Sequence, residues 1–209
     1  MSAPPDRRSR RRERTRRRLL DAATDLFGEQ GVESTRINEI TERADVGFGS
    51  FYNHFESKEA IVEAVLDETV AAHAAALAQR TRDLDDPAEV VAVAHRHFVA
   101  LASTDPHWAW LIVRLDASYN IVLAALGPFA ERDLEAGIAA GRFTVPDPAT
   151  ALIASGGALL SVMRAVLEGR LGPDAASPHA EGILRALGVA PPDAAEVARR
   201  PMPTESARS

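Results

Sequence analysis

Apolar residues recur at spacings of three and four along most of this chain, and nowhere do they alternate with the two-residue period of a strand. The pattern predicts helices throughout. Leu19, Leu20, Ala23, Leu26 and Phe27 form the stripe of a first helix over about 11–29, bracketed at its end by Gly28 and Gly31. Thr35 offers a cap for a short second helix whose buried side is Ile37, Ile40 and Ala44. Asp45 marks a corner and Val46 fills it. A third helix opens at Gly47 or Phe48, with Phe51 and Phe55 four apart on its buried side. Ser57 caps a fourth helix, which Ile61, Val62, Val65, Leu66, Val70 and Leu77 carry to about residue 80.

The breaker run from Asp83 to Pro87 ends that helix. Helices follow over about 87–103, from Asp105-Pro106, over about 118–140, over 148–169 and over 177–187, with an interruption expected at Gly127 and Pro128. The fold class is all-α: a three-helix head with a helix-turn-helix, a long linking helix, and an α-helical body of about five to six helices. The expected divisions are 1–10 as a disordered basic arm, 11–56 as the head, 57–80 as the linking helix, 81–190 as the body, and 191–209 as a flexible tail with at most a short helix at 193–199.

The corner between the second and third helices has the form of a helix-turn-helix, whose second helix enters the DNA major groove. With Phe51 and Phe55 inward at about 100° per residue, Gly49 and Asn53 point most directly outward. Ser50 and Tyr52 flank them, and Phe48 and His54 lie at the edges. The face is small or hydrogen-bonding and carries no acid, which suits contact with base edges and phosphates.

Ser50, Phe51, Tyr52, His54 and Phe55, with Lys58 and Glu59 behind them, resemble the N-terminal domain of the TetR family of transcriptional regulators. The likeness spans about residues 12–70 and takes in Ala22, Ala23, Leu26, Phe27, Gly31, Thr35, Ile37, Ile40, Ala44 and Val46. Two positions depart from the family: Asp45 stands where Gly is usual, and Gly47 where Ser or Thr usually caps the recognition helix. Together, the periodicity and the resemblance give Thr35, Arg36, Phe48, Gly49, Ser50, Tyr52, Asn53, His54 and Lys58 as the DNA-binding set. The resemblance also implies a homodimer on double-stranded operator DNA and a small-molecule effector held in the body.

A net charge of −6 argues against nucleic acid until its distribution is read. Residues 1–58 carry 12 basic and 10 acidic groups, whereas residues 59–209 carry 12 basic and 20 acidic. The first 18 residues alone hold nine Arg against Asp6 and Glu13. A basic end on an acidic body orients a protein on DNA. Residues 1–10 then read either as an arm toward phosphates or the minor groove, or as a solvated tail. The absence of Cys excludes disulfides and thiolate chemistry and fits a reducing cytoplasm. No signal peptide is expected, and no run approaches the roughly 20 apolar residues of a membrane span.

Chemistry beyond binding finds little support. His95 and His97 stand two apart, so on a helix they face different ways and do not chelate together. No Gly-rich phosphate loop follows a strand and no serine elbow occurs, so neither an enzyme nor a metal or cofactor is expected. Phe98, Trp108, Trp110, Tyr119, Phe129 and Phe143 hold most of the aromatics outside the head. They serve either plain core packing or a pocket between helices. The candidate effector set is His97, Trp108, Trp110, Arg114, Asp116 and Asn120.

Gly156, Gly157 and Ala158 permit close helix approach, within the chain or, as the resemblance implies, between two copies. The candidate interface is Leu152, Gly156, Leu159, Leu160, Met163, Ile183, Leu184 and Leu187. The whole reads as a dimeric repressor released from DNA by an effector. An activator of the same fold and an effector-independent architectural DNA-binding protein are the alternatives.

Overall fold

Short polar side chains and prolines set the starts of the helices. Ser57 Oγ accepts the Ala60 N–H at 3.2 Å, Asp86 accepts that of Ala88 at 3.0 Å, and Asp147 accepts that of Thr150 at 2.8 Å. Pro87 and Pro148 occupy first turns, where a missing N–H costs nothing. The computed structural model describes the backbone of residues 7–114 and 116–203, and the side chains of 8–113 and 126–203. The elements are α1 Arg7–Gln30, α2 Ile37–Arg43, α3 Phe48–Phe51, α4 Lys58–Thr81, α5 Pro87–Thr104, α6 Pro106–Arg114 and α7 Asp116–Ala139. After these come α8 Pro148–Leu167, a 3₁₀ turn Pro173–Ala175, α9 Ala176–Ala186 and α10 Pro191–Val197. Among the described residues there is no strand.

Four boundaries differ from the sequence expectation. α3 ends at Phe51, so Asn53 and Phe55 lie beyond it, in the turn that follows. α1 begins at Arg7, because the Arg run consists of good helix formers. α7 continues through Pro128 without an interruption. Its packing on α4, α5 and α8 outweighs the roughly 3 kcal/mol that an interior proline costs. The expected flexible tail is docked as far as Arg200. Ala194, Val197 and Ala198 of the α10 segment are buried against α9. Arg200 Nη1 donates to Glu89 Oε2 at 2.6 Å, and Arg96 Nη1 donates to the Arg200 carbonyl at 2.6 Å.

Two apolar cores result. The first is continuous from the head into the body: Leu19, Phe27, Ile40, Phe51, Ile61, Leu66, Trp108, Leu111 and Met163 belong to one cluster. The second joins α5, α7, α9 and α10 through Ala92, Leu134, Phe143, Leu184 and Val197. Head and body also meet where α1 crosses α6. A Cβ placed on Gly28 would lie 2.5 Å from His107 Cβ, so only glycine fits that crossing.

Candidate functional site

The recognition corner is built by α1. Asp45 is the only non-glycine with positive φ among the described residues, at 49°. Arg18 Nη2 holds it there, donating to its carbonyl at 2.9 Å and to Oδ2 at 2.8 Å. Arg12 Nη2 donates to the Asn53 carbonyl at 3.3 Å, and the Arg16 guanidinium lies 5.4 Å from the Phe55 ring centre. Phe51 and Phe55 are buried with centroids 5.7 Å apart, as their spacing requires. Burial, then the charges of Arg12 and Arg16, holds His54 below the ordinary imidazole pKa.

The opposite face is open. Arg36, Phe48, Gly49, Tyr52 and Asn53 are exposed, and Ser50, His54 and Lys58 are half-buried. Phe48 and Tyr52 stand four apart, each 53% exposed, with rings edge-on at 5.8 Å. Phe48 is therefore part of the outward face rather than its edge, because the helix begins with it. Lys58 Nζ donates to the Glu33 carbonyl at 3.3 Å and ties the start of α4 to the α1–α2 loop. Thr35 is a correction. Its side chain is buried, and Oγ1 donates to the Gly31 carbonyl at 2.8 Å, so it locks the α1–α2 loop and offers nothing to DNA. The residue preceding α2 is Arg36, whose N–H is accepted by Glu39 Oε2 at 2.7 Å.

A cavity of about 140 Å³ lies between α5, α7 and α8, with Leu77 of α4 in its wall. Phe98, Leu126, Phe129, Leu159 and Leu160 supply its apolar lining. A side lobe of about 60 Å³ shares His95, Asp133 and Ser155 with it. His95 Nε2 lies 3.0 Å from Ser155 Oγ, and His95 Nδ1 lies 3.0 Å from His179 Nε2. Burial, then the proximity of His179, pushes the His95 pKa down to about 3, so this imidazole is neutral. Asp133 accepts from Arg132 Nη2 at 2.9 Å, and that guanidinium sits 5.6 Å from the Phe129 ring centre.

Of the expected effector residues, His97, Trp108 and Trp110 are not among the described residues of this wall. His97 faces His73 at 5.8 Å, and His73 packs on Trp108 at 4.3 Å, in a cluster between α4, α5 and α6. Trp110 is half-buried on α6 and lines neither lobe. The polar face of α5 is carried by His95, two residues earlier, which shares its side of the helix with Phe98. The side chains of Arg114, Asp116 and Asn120 lie outside the described residues.

The expected interface set is divided between the protomer's interior and its outer side. Met163, Ile183, Leu184 and Leu187 are buried in the protomer, while Leu152, Gly156, Leu159 and Leu160 line the cavity. Ile183 and Leu187 also reach the outer side of the α8/α9 pair. Ala154, Ala158, Gly182 and Ala186 line an outer groove of about 590 Å³ between α8 and α9, beside Ile153, which is 55% exposed. α8 is also more apolar than the sequence reading allowed. Its mean hydropathy is 1.6 over 18 residues, of which 11% are buried.

Comparison with known proteins agrees with this geometry. Residues 19–65 match the family model of bacterial regulatory proteins, tetR family, and residues 86–200 match that of the tetracyclin repressor-like C-terminal domain. The A-factor receptor protein of Streptomyces griseus is 48% identical over 54 residues, which are 26% of this chain and only 20% of that protein. The HTH-type transcriptional repressor Rv3405c of Mycobacterium tuberculosis is 31% identical over 131 residues, 61% of this chain and 67% of the relative. Among solved structures, RolR in complex with the ligand resorcinol superposes with a TM-score of 0.79 at 37% identity, covering 94% of this chain and 99% of RolR. With an N-terminal helix-turn-helix and a C-terminal domain that both match, the chain belongs to the TetR family of transcriptional regulators.

Proposed function

We propose that this protein is a dimeric repressor that grips palindromic operator DNA through two copies of α3 and releases it when a small molecule fills the α5/α7/α8 cavity. One observation carries the reading. α4 contributes Ile61 and Leu66 to the same core as Phe51 beneath the recognition helix, and it contributes Leu77 to the cavity wall. A single helix thus belongs to both sites, and the effector acts through its preference for the state that does not bind DNA. RolR, solved with resorcinol bound, supports a small effector in this fold.

Dimerisation follows from α8. An apolar helix left open along its outer side needs a cover, and a groove in which Ala154, Ala158, Gly182 and Ala186 stand beside Ile183 and Leu187 fits a second helix pair. Two heads would then meet half-sites about 34–36 Å apart. The protein acts in the cytoplasm beside its DNA, as a regulator and not as an enzyme. The test is to select duplexes from a random pool and weigh the complex by sedimentation. Two protomers on an inverted repeat are expected; a single protomer on an asymmetric site would contradict the proposal.

A further inference from the structure

The arginines of α1 do not all point at DNA. Arg12 Nη2 donates to the Asn53 carbonyl at 3.3 Å, the Arg16 guanidinium lies 5.4 Å from the Phe55 ring centre, and Arg17 pairs with Glu68 of α4. Arg18 holds Asp45. Arg18 and Arg12 thus grip the chain on either side of α3. One acts before it, in the turn that leaves α2; the other acts after it, in the turn that leaves α3.

The grip before α3 follows from how α2 ends. The Asp45 N–H donates to the Glu42 carbonyl at 3.0 Å, and the Val46 N–H donates to the Thr41 carbonyl at 3.0 Å. This pair of bonds closes a helix around one left-handed residue, which is usually glycine because a Cβ there is strained. Here it is Asp45, at φ 49°. Arg18 Nη2 reaches two of its oxygens at once, the carbonyl at 2.9 Å and Oδ2 at 2.8 Å. Both contacts are made only when backbone and side chain share this one arrangement. The Asp45 side chain is 96% exposed, so the ion pair by itself adds little. What the contact supplies is a choice of backbone conformation. α3 is too short to set its own direction: it has four residues, and its cap is Gly47, which has no side chain to bond the first turn. Its orientation rests on the buried Phe51 and on the turns at its two ends.

We infer that Arg18 is a positioning residue for operator recognition, holding α3 in its reading orientation by fixing Asp45 in a conformation that glycine would take unaided. Arg12 steadies the far end. Arg18 then sets specificity without touching a base, and a glycine at position 45 makes it dispensable. This inference rests on α3 being the element that reads DNA.

The test is anisotropy titration of the full chain against the duplex selected by the wild-type protein and against a scrambled duplex. The variants are Arg18→Ala, Asp45→Gly, the two combined, and Phe48→Ala/Asn53→Ala, which strips the outward face; circular dichroism checks that each is folded. The readout is the ratio of the two affinities, because Asp45→Gly also removes a negative charge and favours any DNA. Arg18→Ala should lower the ratio about fivefold or more. Asp45→Gly should keep the wild-type ratio, and adding Arg18→Ala to it should cost nothing further. That comparison decides the matter even where Arg18→Ala alone does not fold. A combined variant with a ratio below that of Asp45→Gly would overturn the inference. So would an Arg18→Ala that weakens both duplexes equally and flattens the slope of log K against log salt by about 0.9, since Arg18 would then be a phosphate contact. An unchanged ratio in Arg18→Ala beside a lowered one in Phe48→Ala/Asn53→Ala would overturn the inference and leave α3 as the reading element. Unchanged ratios in both would overturn α3 as well.

Discussion

Asn53 is the residue from which base reading is most clearly expected. It stands exposed at the centre of the outward face, and its own carbonyl is held by Arg12. Asn53→Ala should cost about 1–3 kcal/mol per half-site on the selected operator and far less on scrambled DNA. Equal losses on both duplexes in anisotropy titrations at one salt concentration would show that Asn53 holds phosphate instead. His95 gives a second residue-scale expectation. Its folded pKa, about 3, lies below the ordinary imidazole value of 6.5, so the unfolded chain binds more protons between those values. Stability should therefore fall as pH drops below about 6.5, at up to roughly 1.4 kcal/mol per unit. His95→Gln should flatten the dependence of the urea midpoint between pH 7.5 and 5; an unchanged slope would place the acid sensitivity elsewhere. The outward face of the recognition corner was legible in the sequence because Phe51 and Phe55 are both buried, although α3 itself ends at Phe51 and the turn after it carries the second Phe. The phase of α5 was not, since His95 and His97 each stand between an apolar residue and Arg96, and only packing shows which one lies on the cavity.

Helix positions were readable because caps and breakers are local chemistry, as at Ser57, Asp86 and Asp147. Which face of a helix meets which neighbour was not. α8 places Leu152, Gly156, Leu159 and Leu160 on the cavity and Ala154 and Ala158 on the outer groove, with Ser155 between the two, a division that the apolar pattern alone does not show. α10 was expected only as a short helix at 193–199 within a flexible tail, because alanine and proline give a weak periodic signal, although Ala194, Val197 and Ala198 keep the three-and-four spacing that docks it. Two expectations belong at this scale. Ala154→Glu puts a charge in the outer groove and should yield folded monomers in sedimentation, with the circular dichroism of the parent. A persistent dimer would move the interface off α8. Gly28→Ala drives a methyl into His107 where α1 crosses α6, and should destabilise by about 1–3 kcal/mol in urea unfolding. A neutral result would mean that the crossing is looser than 2.5 Å implies.

At the scale of the whole molecule, the basic head and acidic body divide labour by charge, but apolar packing does not divide with them. One core runs from the recognition corner through α4 and α6 to Met163. Phe98 of the cavity wall lies nearly parallel to Trp108 at 6.1 Å, and Trp108 packs on His73 of α4. On the proposed mechanism, occupying the cavity presses on the helix that carries the head. Gly156→Leu tests this directly, because its side chain is a built-in occupant that needs no knowledge of the natural ligand. The decisive measurement is its affinity for the duplex selected by the wild-type protein, by anisotropy at fixed salt. The variant should bind about 5–150-fold more weakly than wild type while remaining a folded dimer. A folded Gly156→Leu dimer that binds the operator as tightly as wild type would contradict the coupling of cavity to DNA.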